Sequence, residues 1–380
     1  MSKVGIITYH AAYNYGSVLQ AKATQEVVQK LGHEAQIIDY RPKAQTDYYR
    51  KLYRTAFGIK PFIKDLTMLP VGKQRKKRNA RFEHFITEEF NLTPQIFSDP
   101  NDLNQLASTY DVVISGSDQL FNKHSNELEN EPWSSMDPYL LTFVKKGKRI
   151  SYASSPASMA RDEVFSLADK LRRFDHLSAR EKDAAELLAE VVGYDVPNVL
   201  DPTLLLNGDQ WRKTAELVTG QLPQNYVVYY SLDGTNKMSK RVPVLKQLAE
   251  RANVPVLAIT PFAVLPYSKE IINGHDIGPL EFIKAIDGAL LVVTDSYHGT
   301  LFAVNLDTPF WSISSGKSSS TRKDQALQRL HLGGRITPSI EAVLEKPSLI
   351  PAQPLNEEAN IVLNEAKGES MQYLKNAIED

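Results

Sequence analysis

The sequence predicts an α/β fold built from two doubly wound domains. Short apolar runs alternate with helical stretches along nearly the whole chain. In the second half the runs are apolar throughout, not alternating with polar residues, as in parallel strands covered by helices on both faces. A chain of 380 residues also exceeds what one ordinary core holds.

Taken in order, Val4–Thr8 is the first strand. A helical stretch, SVLQAKATQEVVQKLG, opens at Gly16-Ser17 and closes at Gly32, where a helix-terminating glycine is expected. HEAQIIDY gives a second strand and completes a βαβ unit. A basic helical excursion then runs from about 47 to 91. In it Arg50, Lys51, Arg54, Lys60, Lys64 and Arg81 interleave with Tyr48, Tyr49, Tyr53, Phe57 and Phe62, and Asp65 is the only acid between Arg50 and Arg81. Strands resume at Asp111–Ser115 and Arg149–Ala153, with helices near 160–173 and 180–192.

A polar interval at 206–224 marks a boundary. Beyond it the alternation returns, with strands at 226–232, 255–259, 289–296 and 309–313 and helices at 236–252, 279–287, 299–305 and 321–331. The expected organisation is an N-terminal domain over 1–205, a C-terminal domain over 206–345, and an extension with a final helix over 346–380.

Composition narrows the function. A formal net charge of −1 gives no reason to expect nucleic acid as a partner. The absence of cysteine removes disulfides, thiolate nucleophiles and thiolate metal sites. No two histidines stand at ligand spacing on one helix and no Asp-x-Asp segment is present, so a metal is not expected; no other cofactor is expected either. The chain enters a strand directly from MSKVGIITYH, and no apolar run approaches the roughly 18 residues of a membrane span. A cytoplasmic location is expected. The basic excursion reads either as a solvated helical face or as a peripheral contact with anionic lipid at the inner membrane face.

Ligands of doubly wound sheets sit outside the carboxyl ends of the strands. Five loops there carry polar groups. After the first strand, Asn14, Tyr15 and Gly16 precede a helix start suited to an anion or a sugar hydroxyl, or to an ordinary N-cap. Gly116-Ser117-Asp118-Gln119 forms a tight polar turn but is not a G-x-S-x-G nucleophile elbow. Arg180 is a fork for a carboxylate or phosphate, or an exposed arginine paired with a nearby acid. Asp295, Ser296 and His298 end a strand and Gly299 begins a helix, which places a proton-moving group beside a positive dipole end. Lys317 and Arg322 follow the next strand. Together the five loops predict a substrate cleft between the two domains.

The ordered series NYGSVLQA, VVISGSDQLFN, ISYASS, LSAREK, VLDPTLLL and TDSYHGTLFAVNLDTPF resembles the polysaccharide pyruvyl transferase family, from about residue 4 to 335. The resemblance implies two Rossmann-like domains of the GT-B type. It also implies transfer of pyruvate from phosphoenolpyruvate to a sugar or lipid-linked glycan as a cyclic ketal, with Arg180 and His298 holding the donor. Some members carry Arg-Leu-His where this chain has Ser296-Tyr297-His298, which leaves Lys317 and Arg322 as the candidates to supply the cation.

On this reading His298, Asp295 and Asp118 carry the catalysis. Arg180, Ser296, Gly299, Lys317 and Arg322 hold the donor. Asn14, Tyr15, Gly16, Ser117 and Gln119 meet the acceptor. A nucleotide-sugar glycosyltransferase on the same architecture and a non-catalytic glycan-binding relative remain as alternatives.

Overall fold

A computed structural model describes residues 1–50, 71–218, 222–266, 268–314 and 318–380, with side chains described except at 47–50, 235–236 and 318–321. The chain divides into two compact units. One comprises Met1–Arg50, Glu83–Leu206 and Leu363–Asp380; the other comprises Asn207–Val362 and, among the described residues, 71–82.

The first unit holds four parallel strands, β1 (Lys3–Ile7), β2 (Glu34–Ile37), β3 (Val112–Ser115) and β4 (Lys148–Ser151), in the order β2-β1-β3-β4. Ile6 stands opposite both Ile37 and Ile114, and Ile114 opposite Ile150. Every residue of β3 is buried, as expected of a strand covered on both faces. Helix α1 (Tyr15–Lys30) is capped by Asn14, whose Oδ1 accepts from Gly16 N at 3.0 Å. Gly32 follows it in the left-handed region at φ 88°. Helix α2 (Gly72–Glu89) runs through the basic stretch and carries Lys73, Arg75, Lys76, Lys77, Arg78 and Arg81; up to Phe82 it belongs to the second unit, where Lys77 pairs with Asp276 at 2.9 Å and Arg81 with Glu281 at 3.0 Å. Of the remaining basic residues expected to form a membrane patch, Lys51, Arg54, Lys60 and Lys64 lie outside the described residues, as does the side chain of Arg50.

The single helix expected over 160–173 is two short turns, Arg161–Phe165 and Ala168–Leu171. At the break the Ser166 hydroxyl donates back to the Glu163 carbonyl at 2.6 Å, a local bond that competes with helix continuation. Helix α3 (Lys182–Val192) turns Ala184, Ala185, Leu188 and Val191 inward and ends on Gly193 at φ 86°.

The second unit is a six-stranded parallel sheet. Its strands are β5 (Val227–Tyr230), β6 (Val256–Ile259), β7 (Ile271–Asn273), β8 (Leu291–Thr294), β9 (Phe310–Ile313) and β10 (Ile336–Thr337), in the order β10-β9-β8-β5-β6-β7. Strands β5, β6, β8 and β9 are buried at every residue. Their helices are α4 (Thr235–Ala252), α5 (Pro279–Asp287), α6 (Tyr297–Asn305) and α7 (Ser318–Arg329). Val227, Leu248, Val256, Leu291, Val293 and Val343 are fully buried within one apolar cluster. Strands β7 and β10, three and two residues long, are too short for a periodic signal.

The final helix, α8 (Glu357–Glu379), closes the first unit from the far end of the chain. Ser370 Oγ accepts from Leu200 N at 2.9 Å, and Tyr373 Oη donates to Ser151 O at 3.1 Å. Leu374 is fully buried there.

In both sheets the strand order reverses beside the first strand of the unit, between β1 and β3 and between β5 and β8. Beyond β1 and β2 a buried ion group ties the connecting segments. His10 Nε2 lies 2.9 Å from Asp39 Oδ1, and Arg41 donates from Nη2 to Asp39 Oδ2 at 2.9 Å. Burial pushes the Asp39 carboxyl up, but its hydrogen bonds with His10 and Arg41 and the nearby positive charge outweigh this and bring it down to about 2. A carboxyl lowered on folding stabilises the native state above its unfolded pKa and loses that contribution as pH falls through its folded one. Wild-type unfolding midpoints in urea should therefore fall as pH drops from about 4 towards 2. Asp39→Asn should be less stable at neutral pH, and its stability should change less across that window; an unchanged acid profile would contradict the assignment.

Candidate functional site

Crevices at the points of strand-order reversal are where doubly wound sheets bind ligands. The loops to examine are those after β1 and β3 in the first unit and those after β5 and β8 in the second.

In the first unit the loops converge on one buried guanidinium. Arg180, 3% exposed in its side chain, donates from Nε to Glu181 Oε1 at 2.7 Å and from Nη1 to Asp201 Oδ2 at 3.4 Å. Its Nη2 stands 3.7 Å from Asp118 Oδ1. One positive charge thus faces three carboxylates, a formal −2, and neutral donors meet the excess. Ser17 Oγ donates to Asp118 Oδ2 at 2.7 Å, and Gln119 N donates to Asp118 Oδ1 at 2.9 Å. Asp201 accepts from Ser117 Oγ at 3.2 Å, Thr203 N at 3.0 Å and Thr203 Oγ1 at 2.7 Å. Asp118 holds φ 94°, a left-handed conformation unusual for a residue with a side chain, so these bonds keep a strained turn in place.

The structure therefore brings Asn14, Tyr15, Gly16, Ser117, Asp118, Gln119 and Arg180 together in one unit. Asn14 and Gln119 are partly exposed, whereas Tyr15 and Ser117 are buried. Asp201 and Ser17 complete the group. Asp201 lies in the VLDPTLLL stretch, where Asp before Pro is itself a signal for a helix start.

The second unit assembles a different set at the ends of β5 and β8. Ser296 is the N-cap of α6, its Oγ accepting from Gly299 N at 3.2 Å. The helix consequently begins at Tyr297, two residues earlier than the sequence suggested, and carries His298 on its first turn instead of in the preceding loop. Thr294 Oγ1 donates to Tyr230 O at 2.8 Å and accepts from Ser296 N at 3.0 Å, so the helix start is bonded directly to the strand ends. Gly299 permits this approach: a Cβ there would stand 2.7 Å from Thr294 Oγ1 and 2.7 Å from the Tyr230 ring. His298 is 8% exposed, with its ring edge-on to Tyr297 at 5.2 Å.

Asp295 Oδ2 accepts from Ser231 Oγ at 2.6 Å and from Arg241 Nη1 at 3.3 Å. Arg241 also pairs with Asp233 at 2.8 Å and bonds Tyr229 Oη. Burial, and secondarily the Asp295 charge, push the Tyr229 phenol up to about 12, so it remains a neutral donor. Lys323 of α7, 1% exposed, donates to the carbonyls of Asp295, at 3.1 Å, and Ile313. Burial lowers its ammonium pKa. Arg322 adjoins it in sequence and is partly exposed, while Lys317 lies outside the described residues.

Arg241, Lys323 and Ser231 were not singled out by the sequence. Arg241 and Lys323 stand on helices whose orientation over the sheet is a tertiary fact, and on a helix a charged residue ordinarily signals only a solvated face. The loop after β5 also has no glycine-rich or histidine signal of its own. Among the described residues no group of three or more His, Asp or Glu is placed to hold a metal ion, and no helix is long and apolar enough to cross a membrane.

Arg180→Ala should leave three carboxylates without their cation and cost about 3–5 kcal/mol, measured by equilibrium unfolding in urea. Ser296→Ala should cost only about 1 kcal/mol through loss of the cap. Equal effects of the two changes would mean that the carboxylates rearrange freely around the missing guanidinium.

Comparison with known proteins bears on these constellations. The family model for polysaccharide pyruvyl transferase matches residues 14–317. In fold the chain is similar to the Methanocaldococcus jannaschii UDP-GlcNAc 2-epimerase in complex with UDP-GlcNAc and UDP, at 13% identity and a TM-score of 0.54, over 95% of this chain and 98% of that one. It is also similar to the UDP-N-acetylglucosamine 2-epimerase from Rickettsia bellii, at 11% identity and a TM-score of 0.53, over 100% and 97% of the two chains. At such identities the likeness is one of fold, and the fold is the expected one: two Rossmann-like α/β domains, GT-B-like in class. No curated protein matches the sequence.

Proposed function

The chain belongs to the polysaccharide pyruvyl transferase family, and from that premise we propose that it transfers the pyruvyl group of phosphoenolpyruvate to two hydroxyls of a sugar, forming a cyclic ketal in the building of a bacterial exopolysaccharide, capsule or cell-wall glycan. The observation that carries this reading is the position of His298: first turn of α6, at the reversal point of the second sheet, with the cations Arg241 and Lys323 at the same strand ends.

The donor brings a phosphate and a carboxylate and requires positive charge. The α6 N-terminus, Arg241 and Lys323 supply it, with Arg322 beside them. Arg241 takes the part of the arginine that some family members carry where this chain has Ser296. Gly299 lets the α6 terminus sit tight against the strands, so its dipole is directed at the strand ends.

The chemistry is balanced by one proton in and two out. A proton adds to the methylene carbon of the enol while a sugar hydroxyl attacks C2 and gives up its own proton. The C2–O bond to phosphate then breaks, and a second hydroxyl closes the ketal, its proton leaving with the phosphate. His298 donates the first proton and recovers one from an attacking hydroxyl, work suited to an imidazole, which can both give and take a proton. Asp295, fixed by Ser231 and Arg241, orients the donor side. In the first unit Asp118 accepts from an acceptor hydroxyl, Arg180 fixes the Asp118 turn, and Asn14 and Gln119 contribute the partly exposed acceptor contacts.

His298→Ala should lower phosphate release from phosphoenolpyruvate by about 10²–10⁴-fold, with the unfolding midpoint near that of wild type. Near-normal turnover would remove His298 from the chemistry. Phosphoenolpyruvate at 100 times its Kd should stabilise the wild type by about 2.7 kcal/mol, and Arg241→Ala should reduce that shift. Because one fold relative was solved with UDP-GlcNAc and UDP, UDP-GlcNAc is the informative competitor. Stabilisation by it alone would replace the pyruvyl reading with nucleotide-sugar chemistry.

A further inference from the structure

The first unit contains a cavity that none of the residues above line. Its volume is about 680 Å³, within the roughly 300–1,000 Å³ of small-molecule sites. Three chain segments wall it: Lys43 follows Tyr40, which bridges Phe97; the 98–104 turn follows Phe97 itself; and residues 131–143 belong to the long connection between β3 and β4.

The walls are held by specific bonds. Tyr40 Oη donates to Ser135 O at 3.2 Å, Ala44 N donates to Glu131 Oε1 at 2.6 Å, and Arg41 N donates to Phe97 O at 2.7 Å. Asp99 caps its own turn, accepting from Asn101 N at 2.8 Å. The site is therefore a framed depression and not a gap between loose loops.

Its chemistry selects among ligand classes. The charged lining is Lys43 against Asp99, Glu131 and Asp137, and Asp137 is itself paired with Lys170 at 2.5 Å; the remaining negative charge disfavours a phosphate or carboxylate ligand. The apolar share of the lining is Pro100, Pro132 and Phe143, too little for a hydrophobic guest. Carboxylates and the amide oxygens of Asn101 and Asn104 instead offer acceptors to a dense set of hydroxyls; each of these amides spends one N–H on the turn itself, Asn101 on Asp99 Oδ1 at 3.0 Å and Asn104 on Asn101 O at 2.9 Å, and keeps one to donate.

We propose that this cavity is a carbohydrate subsite that holds a neutral sugar unit of the glycan acceptor, apart from the sugar that reacts. The identification of the ligand as acceptor glycan rests on the reading that the chain modifies a glycan; the cavity's preference for a neutral sugar does not.

The test uses the full-length chain with lactose, maltose and N,N′-diacetylchitobiose as neutral probes and spermidine as a cationic one. Binding is read by saturation-transfer NMR and by isothermal titration calorimetry. At least one neutral disaccharide should bind, and Asn101→Ala and Asn104→Ala, both at exposed positions, should each weaken it about tenfold. Thermal stabilisation by phosphoenolpyruvate should persist in both variants, which also shows that they are folded. The subsite is overturned if no neutral disaccharide binds, if binding is unchanged in both variants, or if spermidine displaces the sugar at lower concentration. Sugar binding that responds to the variants while phosphoenolpyruvate stabilises nothing would uphold the subsite and defeat the pyruvyl reading instead.

Discussion

The guanidinium of Arg180, buried among Asp118, Glu181 and Asp201, sets the geometry of the first unit's loops. A charge taken out of water is tolerated only where its partners are in place. Here the partners come from the turn after β3, the start of α3 and the Asp201 turn, and Ser17 draws α1 into the same network. None of these segments can shift alone without exposing an uncompensated charge. The strained turn at Asp118 persists because the network over-determines it. Much of the polarity that marks these loops as a ligand site is therefore already engaged in holding them.

The second unit is arranged differently. Arg241, Lys237 and Lys323 are three cations among the carboxylates Asp233, Asp295 and Asp324, and Lys323 donates to main-chain carbonyls in place of a carboxylate. The balance of charge at the two strand ends thus differs: one cation stands among three carboxylates in the first unit, where Glu181 Oε2 is left without a hydrogen-bond partner, whereas cations and carboxylates are matched in the second. An anionic small molecule and a polyhydroxylated neutral one make similarly different demands.

The fold was legible because β3, β5, β6, β8 and β9 are buried at every residue and mostly written as apolar runs, as in Tyr226–Tyr230 and Ala289–Val293. The helix ends were legible where local chemistry marks them, as at Gly32. Boundaries failed where a side chain acts on its own backbone: Ser166 broke an expected helix, and Ser296 started α6 two residues early. Half of the candidate site could be named from loops, because Asp118, Arg180, Asp295 and His298 lie at or beside strand ends. The rest could not. Arg241 and Lys323 reach the strand ends from helices, where only packing determines which way a long side chain extends. Likewise the cavity beside Asn101 and Glu131 joins residues separated by up to a hundred positions, and no short motif announces it.

From Leu363 onward helix α8 belongs to the first unit, although these residues are encoded after the whole of the second. During synthesis on a ribosome the first sheet emerges hundreds of residues before the helix that bonds Leu200 and Ser151 and buries Leu374 against it. The second unit, whose sheet strands all lie within Asn207–Val362, has its complete sheet exposed to solution while the first still lacks one wall. Maturation of the chain is then not vectorial: the unit begun first is finished last, and until residues 363–380 arrive its uncovered apolar face is a natural substrate for chaperones.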